Sequence, residues 1–366
     1  MTPMRVLVVT VVHTPLDARI HNRQIRALVG AGHDVVYAAP FTARGVDPAS
    51  VDVAAVDLPR ASGRRRLAAL RAARRLLRQR GAEFDVVLVH DPELLLAVGA
   101  LPRSTPVVWD VHEDLAASLV DKPWLPAWAR QAVARLVAAV ERRAERRCHL
   151  LLAEAGYADR FVGTHPLVPN LPWLPPTPQG PVSDRVVQLG RVSRLRGAED
   201  LVAVGEALAR HDVTLEVIGP VDDDVAGLVD AAARAGHLVS HGFVPNERAV
   251  GLLDGALAGL SLLHDHPNYR HSLPTKVAEY QASGVPVVTT PLPTAVAMVR
   301  SAGSGVVVPF EDPDAVTEAV LALHRDRTTA RSLGAAGRRD AEAGNSWDAR
   351  APQFVAELEA AASTSG

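Results

Sequence analysis

Apolar residues recur along this chain in short unbroken runs separated by stretches of helical spacing. That alternation marks an α/β protein whose parallel strands are buried on both faces. Residues 4–12 form the first run; a loop at 13–17 follows, 18–30 have helical spacing, and 34–39 form the next run. The pattern then predicts a basic helix at 62–81, strands at 84–89, 106–109 and 150–153, and helices at 93–99 and 127–147. Residues 165–179 interrupt it with six prolines, a semi-rigid stretch suited to an interdomain linker. A second series follows, with strands expected at 186–189, 214–218, 238–243, 256–263, 285–289 and 306–308. Its helices are expected at 198–209, 225–235, 247–254, 274–283, 313–324 and 328–343. The expected division is therefore a first domain at 1–168, a second at 169–345, and a last helix at 346–366 packing back on the first.

The richest chemistry lies in residues 268–288. Pro274 suits a first helical turn, Ser272 is placed to cap it, and Gly284 sits where a left-handed residue ends a helix. The loop at 264–271 leads from a strand to this helix start, at the sheet edge where open α/β sheets bind ligands. First-turn amides and the helix dipole make an anion site. Lys276 lies in that turn, with Glu279 and Tyr280 one turn on and nearly on the same face. A cation for a diphosphate and a carboxylate for a sugar diol are what a nucleotide sugar needs; the plainer alternative is a surface ion pair.

Composition sharpens this. Of 39 basic residues only Lys122 and Lys276 are lysines, so a compact ammonium at 276 stands out against the arginines. The net charge of −2 argues against nucleic-acid binding, although residues 1–170 carry +6 and the remainder −8. The single Cys148 excludes an internal disulfide framework and a cysteine-rich metal site. No apolar run reaches membrane-spanning length and no signal-peptide pattern opens the chain, which together predict a cytoplasmic protein. The arginines at 64–80 are expected to face solvent on a packed helix whose stripe is Leu67, Ala69, Leu70, Ala73 and Leu77; peripheral contact with an anionic membrane is the alternative.

Other candidates cluster at predicted strand ends. Asp17, Arg19 and His21 follow the first strand, although Asp17 also suits a helix cap. This βαβ opening lacks the Gly-x-Gly-x-x-Gly fingerprint, which argues against a dinucleotide at the first turn. His90 and Asp91 end another strand, and Asp110-Val-His112-Glu113-Asp114 puts four polar or ionisable residues at the end of a third. In the second half, Arg191 and Arg196 lie where a strand gives way to a helix and could grip a diphosphate. Asp222, Asp223 and Asp224 fall in a Gly-Pro turn and read as a solvated turn, leaving no metal site expected.

Taken in order, the Gly190-Arg191 turn with Arg196, Asp110-x-His112-Glu113, and Ser272-Leu-Pro-Thr-Lys-Val-Ala-Glu-Tyr280 resemble the family 4 retaining glycosyltransferases. The opening His13-Thr-Pro-Leu-Asp17-Ala-Arg19 is similar to some members. The resemblance implies the GT-B fold, two Rossmann-like domains facing each other across a cleft. It implies no cofactor and no metal, with a nucleotide-diphosphate sugar of UDP or GDP type as co-substrate. It places Arg191, Arg196 and Lys276 on the donor diphosphate, Glu279 on the ribose, and Ser272, Leu273 and Thr275 in the phosphate turn, with Phe243 also on the donor side. His112 would face the transferred sugar, with Asp17, Arg19, Glu113 and Asp114 on the acceptor side. His271 stands where many relatives have a glutamate that touches the donor sugar, so it bears on sugar choice. A hexose-type transfer with retention, by a front-face route, is the implied reaction. An epimerase or phosphorylase on the same fold, or a protein that only binds a nucleotide sugar, would share the phosphate site.

Overall fold

The computed structural model describes residues 2–112, 127–270 and 272–363. The chain forms two units, Met1–Asn170 with Arg350–Gly366, and Leu171–Ala349. Their boundary falls inside the proline-rich stretch at 165–179.

Unit 1 is built on a six-stranded parallel sheet: β1 Arg5–Val9, β2 Asp34–Ala39, β3 Ala54–Asp57, β4 Val86–Val89, β5 Val107–Val111 and β6 His149–Leu152. The order is β3-β2-β1-β4-β5-β6. Strand β4 and residues 6–9 of β1 are apolar and buried on both faces, which is why they read as continuous runs. Unit 2 repeats the plan with β7 Arg185–Leu189, β8 Thr214–Ile218, β9 Leu238–Gly242, β10 Ala258–Ser261, β11 Val287–Thr289 and β12 Gly305–Val307. Its order is β12-β11-β10-β7-β8-β9. In each sheet the chain runs outward from one central strand, then returns to build on the strand's other side. The ligand crevice of such a sheet lies at that reversal, between β1 and β4 in unit 1 and between β7 and β10 in unit 2.

Several local expectations need correction. Residues 18–30 are not one regular helix: wide turns at Ile20–Ile25 precede a short α-helix, Arg26–Gly30. The Asp17 carbonyl accepts from both His21 N at 2.9 Å and Asn22 N at 3.4 Å, which opens that first turn. Residues 93–99 form tight turns, Pro92–Leu96 and Val98–Ala100, in place of a helix. In the helix Arg66–Arg80 the buried positions are Ala69, Ala73, Leu76 and Leu77, whereas Leu67 is 63% exposed. Edge strand β3 and the helix Pro293–Ala302 were not anticipated. The first is half-exposed, without an apolar run, and the second is a short helix bracketed by Pro293 and Gly303.

One packing contact seats the helix Thr275–Ala282 on the unit 2 sheet. The Tyr280 ring lies against Gly259 of β10, where a Cβ would meet a ring carbon at 2.4 Å. The Tyr280 hydroxyl accepts from Leu189 N at 2.8 Å and donates to the Leu260 carbonyl at 3.0 Å. It thus fills the gap where β7 and β10 separate beyond their short pairing at Val186 and Val187. Gly259→Ala should therefore destabilise unit 2 by about 1–3 kcal/mol, the usual cost of overpacking. Denaturant unfolding that gives no loss would show that Tyr280 has room to move.

Candidate active site

In unit 2 the helix Thr275–Ala282 starts at the carboxyl edge of the sheet, beside the reversal point. Ser272 does not cap it: its hydroxyl donates to the Asn268 carbonyl at 2.9 Å, and Pro274 holds the cap position. Leu273 and Thr275 are partly buried at this turn, and His271 lies outside the described residues. Lys276 is buried, and among the described residues its ammonium has no hydrogen-bond partner. Burial, then the charge of Arg196, push its pKa down to about 7, partly offset by Glu279. Two cations this close, only partly offset by one carboxylate, favour an anion. Glu279, also buried, accepts from Asn246 Nδ2 at 3.4 Å.

Arg196 reaches this place because its turn is tied to β10. His264 N donates to the Leu195 carbonyl at 3.0 Å. Gly197, at φ +80°, lets the turn pass so close that a Cβ would lie 2.5 Å from the Leu262 carbonyl oxygen. The Arg196 guanidinium then lies over the Tyr269 ring, 5.6 Å from its centroid. Arg191 is exposed, and its Nη1 donates to Asp222 Oδ1 at 2.6 Å. Phe243 is exposed beyond edge strand β9, with β7 and β8 between it and β10. The structure thus gathers Lys276, Glu279 and Arg196, and leaves Arg191 and Phe243 at the surface.

Unit 1 carries a second cluster at its own reversal point. Asp110, wholly buried on β5, receives Arg19 Nε at 2.7 Å and Nη2 at 2.6 Å. His112 Nδ1 lies 3.1 Å from Asp110 Oδ2, and His90 Nδ1 3.2 Å from the same oxygen. Beyond His112, its Nε2 meets His13 Nε2 at 3.1 Å, and His13 lies 3.3 Å from Asp91. Asp91 in turn accepts from Val12 N and the Thr10 hydroxyl, locking the loop after β1 against the end of β4. Burial opposes the Asp110 charge, yet the Arg19 charge and hydrogen bonds hold this carboxyl well below its ordinary range. Burial likewise opposes charging His112, but Asp110 outweighs it and raises that imidazole. His90, facing the same carboxylate in a fully buried position, falls to about 4 because desolvation dominates.

Asp17 is a cap as well as a neighbour: its Oδ1 accepts from Arg19 N at 2.8 Å and Ile20 N at 3.1 Å. Arg19 is buried and committed to Asp110 and the Val168 carbonyl, so it supports His112 and does not face an acceptor. Glu113 and Asp114 lie outside the described residues. His13, His90, Asp91 and Asp110 complete the cluster; in the sequence His90 and Asp91 were marked only by their place at a strand's carboxyl end, and His13 and Asp110 also by the motifs they open. Ligand atoms of His90, Asp110 and His112 fall within 4.8 Å of one another, a spacing a metal ion could use. Both Asp110 oxygens are already hydrogen-bonded to the Arg19 guanidinium, which supplies the positive charge there.

Residues 18–165 match the family model described as Glycosyltransferase Family 4, and residues 202–356 the one described as Glycosyl transferase-like. Comparison with curated protein sequences gave no match. Among solved structures, sucrose-phosphate synthase from Thermosynechococcus elongatus is similar over 99% of this chain and 100% of its own, with TM-score 0.72 and 18% identity. HepE from Anabaena in complex with UDP-glucose is similar over 98% and 100%, with TM-score 0.69 and 15% identity. WaaG, a glycosyltransferase involved in lipopolysaccharide biosynthesis, is similar over 97% and 99%, with TM-score 0.65 and 14% identity. At these identities the structural likeness speaks to the fold, which is GT-B. Fold and family matches together define a glycosyltransferase of GT-B type. The family 4 match itself spans residues 18–165.

Asp110→Asn should leave Arg19 buried without its counter-ion and cost about 3–5 kcal/mol of stability. In NMR titration the same change should move the His112 pKa from above its ordinary 6.5 to below it. Because folding raises this pKa, the stability it contributes is complete below pH 6.5 and is lost as pH rises through the folded value. An unchanged His112 titration in the variant would contradict the assignment.

Proposed function

We propose that this protein transfers a hexose-type sugar, with retention, from a nucleotide-diphosphate sugar of UDP or GDP type to a small metabolite, glycan or lipid-linked acceptor. The observation that carries the reading is the buried, unpartnered ammonium of Lys276 beside Arg196, one turn before the buried carboxylate of Glu279. A diphosphate satisfies both cations, and Glu279 accepts hydrogen bonds from a ribose diol. The Anabaena neighbour, recorded with UDP-glucose, supports a uridine donor. Arg191 joins them by exchanging Asp222 for phosphate, because an exposed ion pair contributes little to stability.

As the glycosidic bond breaks, negative charge grows on the departing diphosphate. Lys276, Arg196 and the first-turn amides stabilise it in place, the electrostatic mode of catalysis. These fixed cations take the role a divalent metal would otherwise fill. The leaving oxygen accepts the acceptor's proton while that acceptor attacks the same face of the sugar, so the anomeric configuration is kept. His112, oriented by Asp110, positions the transferred sugar, and Asp17, Glu113 and Asp114 are assigned to the acceptor. His271 is assigned to the choice of sugar. We place the reaction in the cytoplasm; among the described residues no helix is long and apolar enough to cross a membrane.

With a donor identified by thermal-shift screening against UDP, GDP, dTDP and ADP, Lys276→Ala should lower kcat/KM at least about 100-fold. Product NMR should show the donor's anomeric configuration retained; inversion would refute the front-face route. Calorimetry in buffers of differing ionisation enthalpy provides a second test. With a pKa of about 7, free Lys276 is mostly neutral at pH 8 and becomes charged against a diphosphate. Binding should therefore take up close to one proton at pH 8 and much less at pH 6, with the uptake absent in Lys276→Ala. Equal proton uptake in wild type and variant would contradict the role given to Lys276.

A further inference from the structure

A pair of arginines in unit 1 stands apart from the Arg19–Asp110 cluster. Arg44 ends the turn Thr42–Arg44 beyond β2, and Arg60 follows the end of β3 at Asp57. These strands are paired, with Ala39 opposite Asp57, so both arginines leave the same carboxyl edge. The segments that carry them are both held to the loop after β1. Arg44 Nη2 donates to the Val12 carbonyl, and Ala61 N, next to Arg60, donates to the Val11 carbonyl at 2.8 Å. The following residue is His13, whose ring touches His112.

The Nε atoms of Arg44 and Arg60 are both buried, and neither meets an acceptor among the described residues. Burial, and then the neighbouring charge of Arg60, depress the pKa of Arg44. The carboxylates of this edge are engaged elsewhere: Asp57 accepts from Thr42 N at 3.0 Å, and Asp91 from Val12 N at 3.2 Å. Among the described residues neither arginine forms an ion pair.

Two buried donors without acceptors are costly, and two like charges side by side add to that cost. One ligand removes both penalties. A phosphate oxyanion carries two charges and accepts from guanidinium forks. We propose that Arg44 and Arg60 form a binding site for a phosphate monoester, carried by the acceptor beside His13 and His112. Calling the ligand the acceptor rests on the transferase reading; the anion site itself does not.

The test is calorimetric titration of the full chain with inorganic phosphate and with glucose 6-phosphate, using glucose and glucuronate as comparisons. Wild type, Arg44→Gln, Arg60→Gln and Lys276→Ala are each titrated, and each is also titrated with UDP and GDP. Glucose 6-phosphate should bind saturably and at least 10-fold more tightly than glucose or glucuronate. Each Gln variant should lose at least 10-fold of that affinity, while Lys276→Ala should retain it. Arg44→Lys and Arg60→Lys, which keep the charge and lose the fork, provide folded variants if a Gln change unfolds unit 1, and should weaken binding by a smaller factor. Phosphate affinity that is absent in wild type, unchanged in the arginine variants, or lost only with Lys276→Ala would overturn the proposal, as would glucuronate binding as well as the phosphate. Loss of UDP and GDP binding only in Lys276→Ala supports the donor reading separately, and its failure leaves the arginine result standing.

Discussion

The constraint on which unit 2 depends is the seat of Tyr280 between β7 and β10. Its ring needs a strand residue with no side chain, which Gly259 supplies, and its hydroxyl bridges backbone groups that the diverging strands no longer satisfy for each other. Lys276 stands one helical turn earlier, so the same contact holds an ammonium in a buried position at the sheet edge. An isolated charge there is unfavourable in the free protein, and that penalty is what an anionic ligand removes.

Unit 1 solves a related problem with opposite means. Asp91 binds the loop after β1 to the end of β4, where Tyr280 does so in unit 2. Its buried charges are paired: Arg19 reaches from the loop after β1 to Asp110 on β5, and the carboxylate then fixes His112. A satisfied ion pair orients a histidine, whereas an unsatisfied ammonium waits for a ligand. The first arrangement suits positioning and the second suits binding that changes with the reaction.

Much of this was legible in the sequence because parallel strands buried on both faces leave unbroken apolar runs, and β2 and β8 appear at the residues those runs predict. The Lys276 and Glu279 pair was legible from spacing within one helix. Edge strand β3 was not, because its half-exposed Ala54–Asp57 lacks an apolar run. Ser272 misled because a serine two residues before a proline reads as a cap, while its hydroxyl closes the preceding turn on Asn268. Arg19 looked like an acceptor contact because nothing local shows that a residue 91 positions away will neutralise it. Long-range pairs such as Arg19–Asp110, and the approach of Arg44 and Arg60 to residues 11–12, follow from strand order, which a single sequence does not display.

The central claim is that Lys276 is held buried and unpaired to receive a donor diphosphate. A crystal structure of the protein with UDP or GDP tests it most directly. A phosphate oxygen should lie within about 3 Å of Lys276 Nζ, with Glu279 hydrogen-bonded to the ribose hydroxyls. A nucleotide seated elsewhere, with the ammonium still unpartnered, would contradict it.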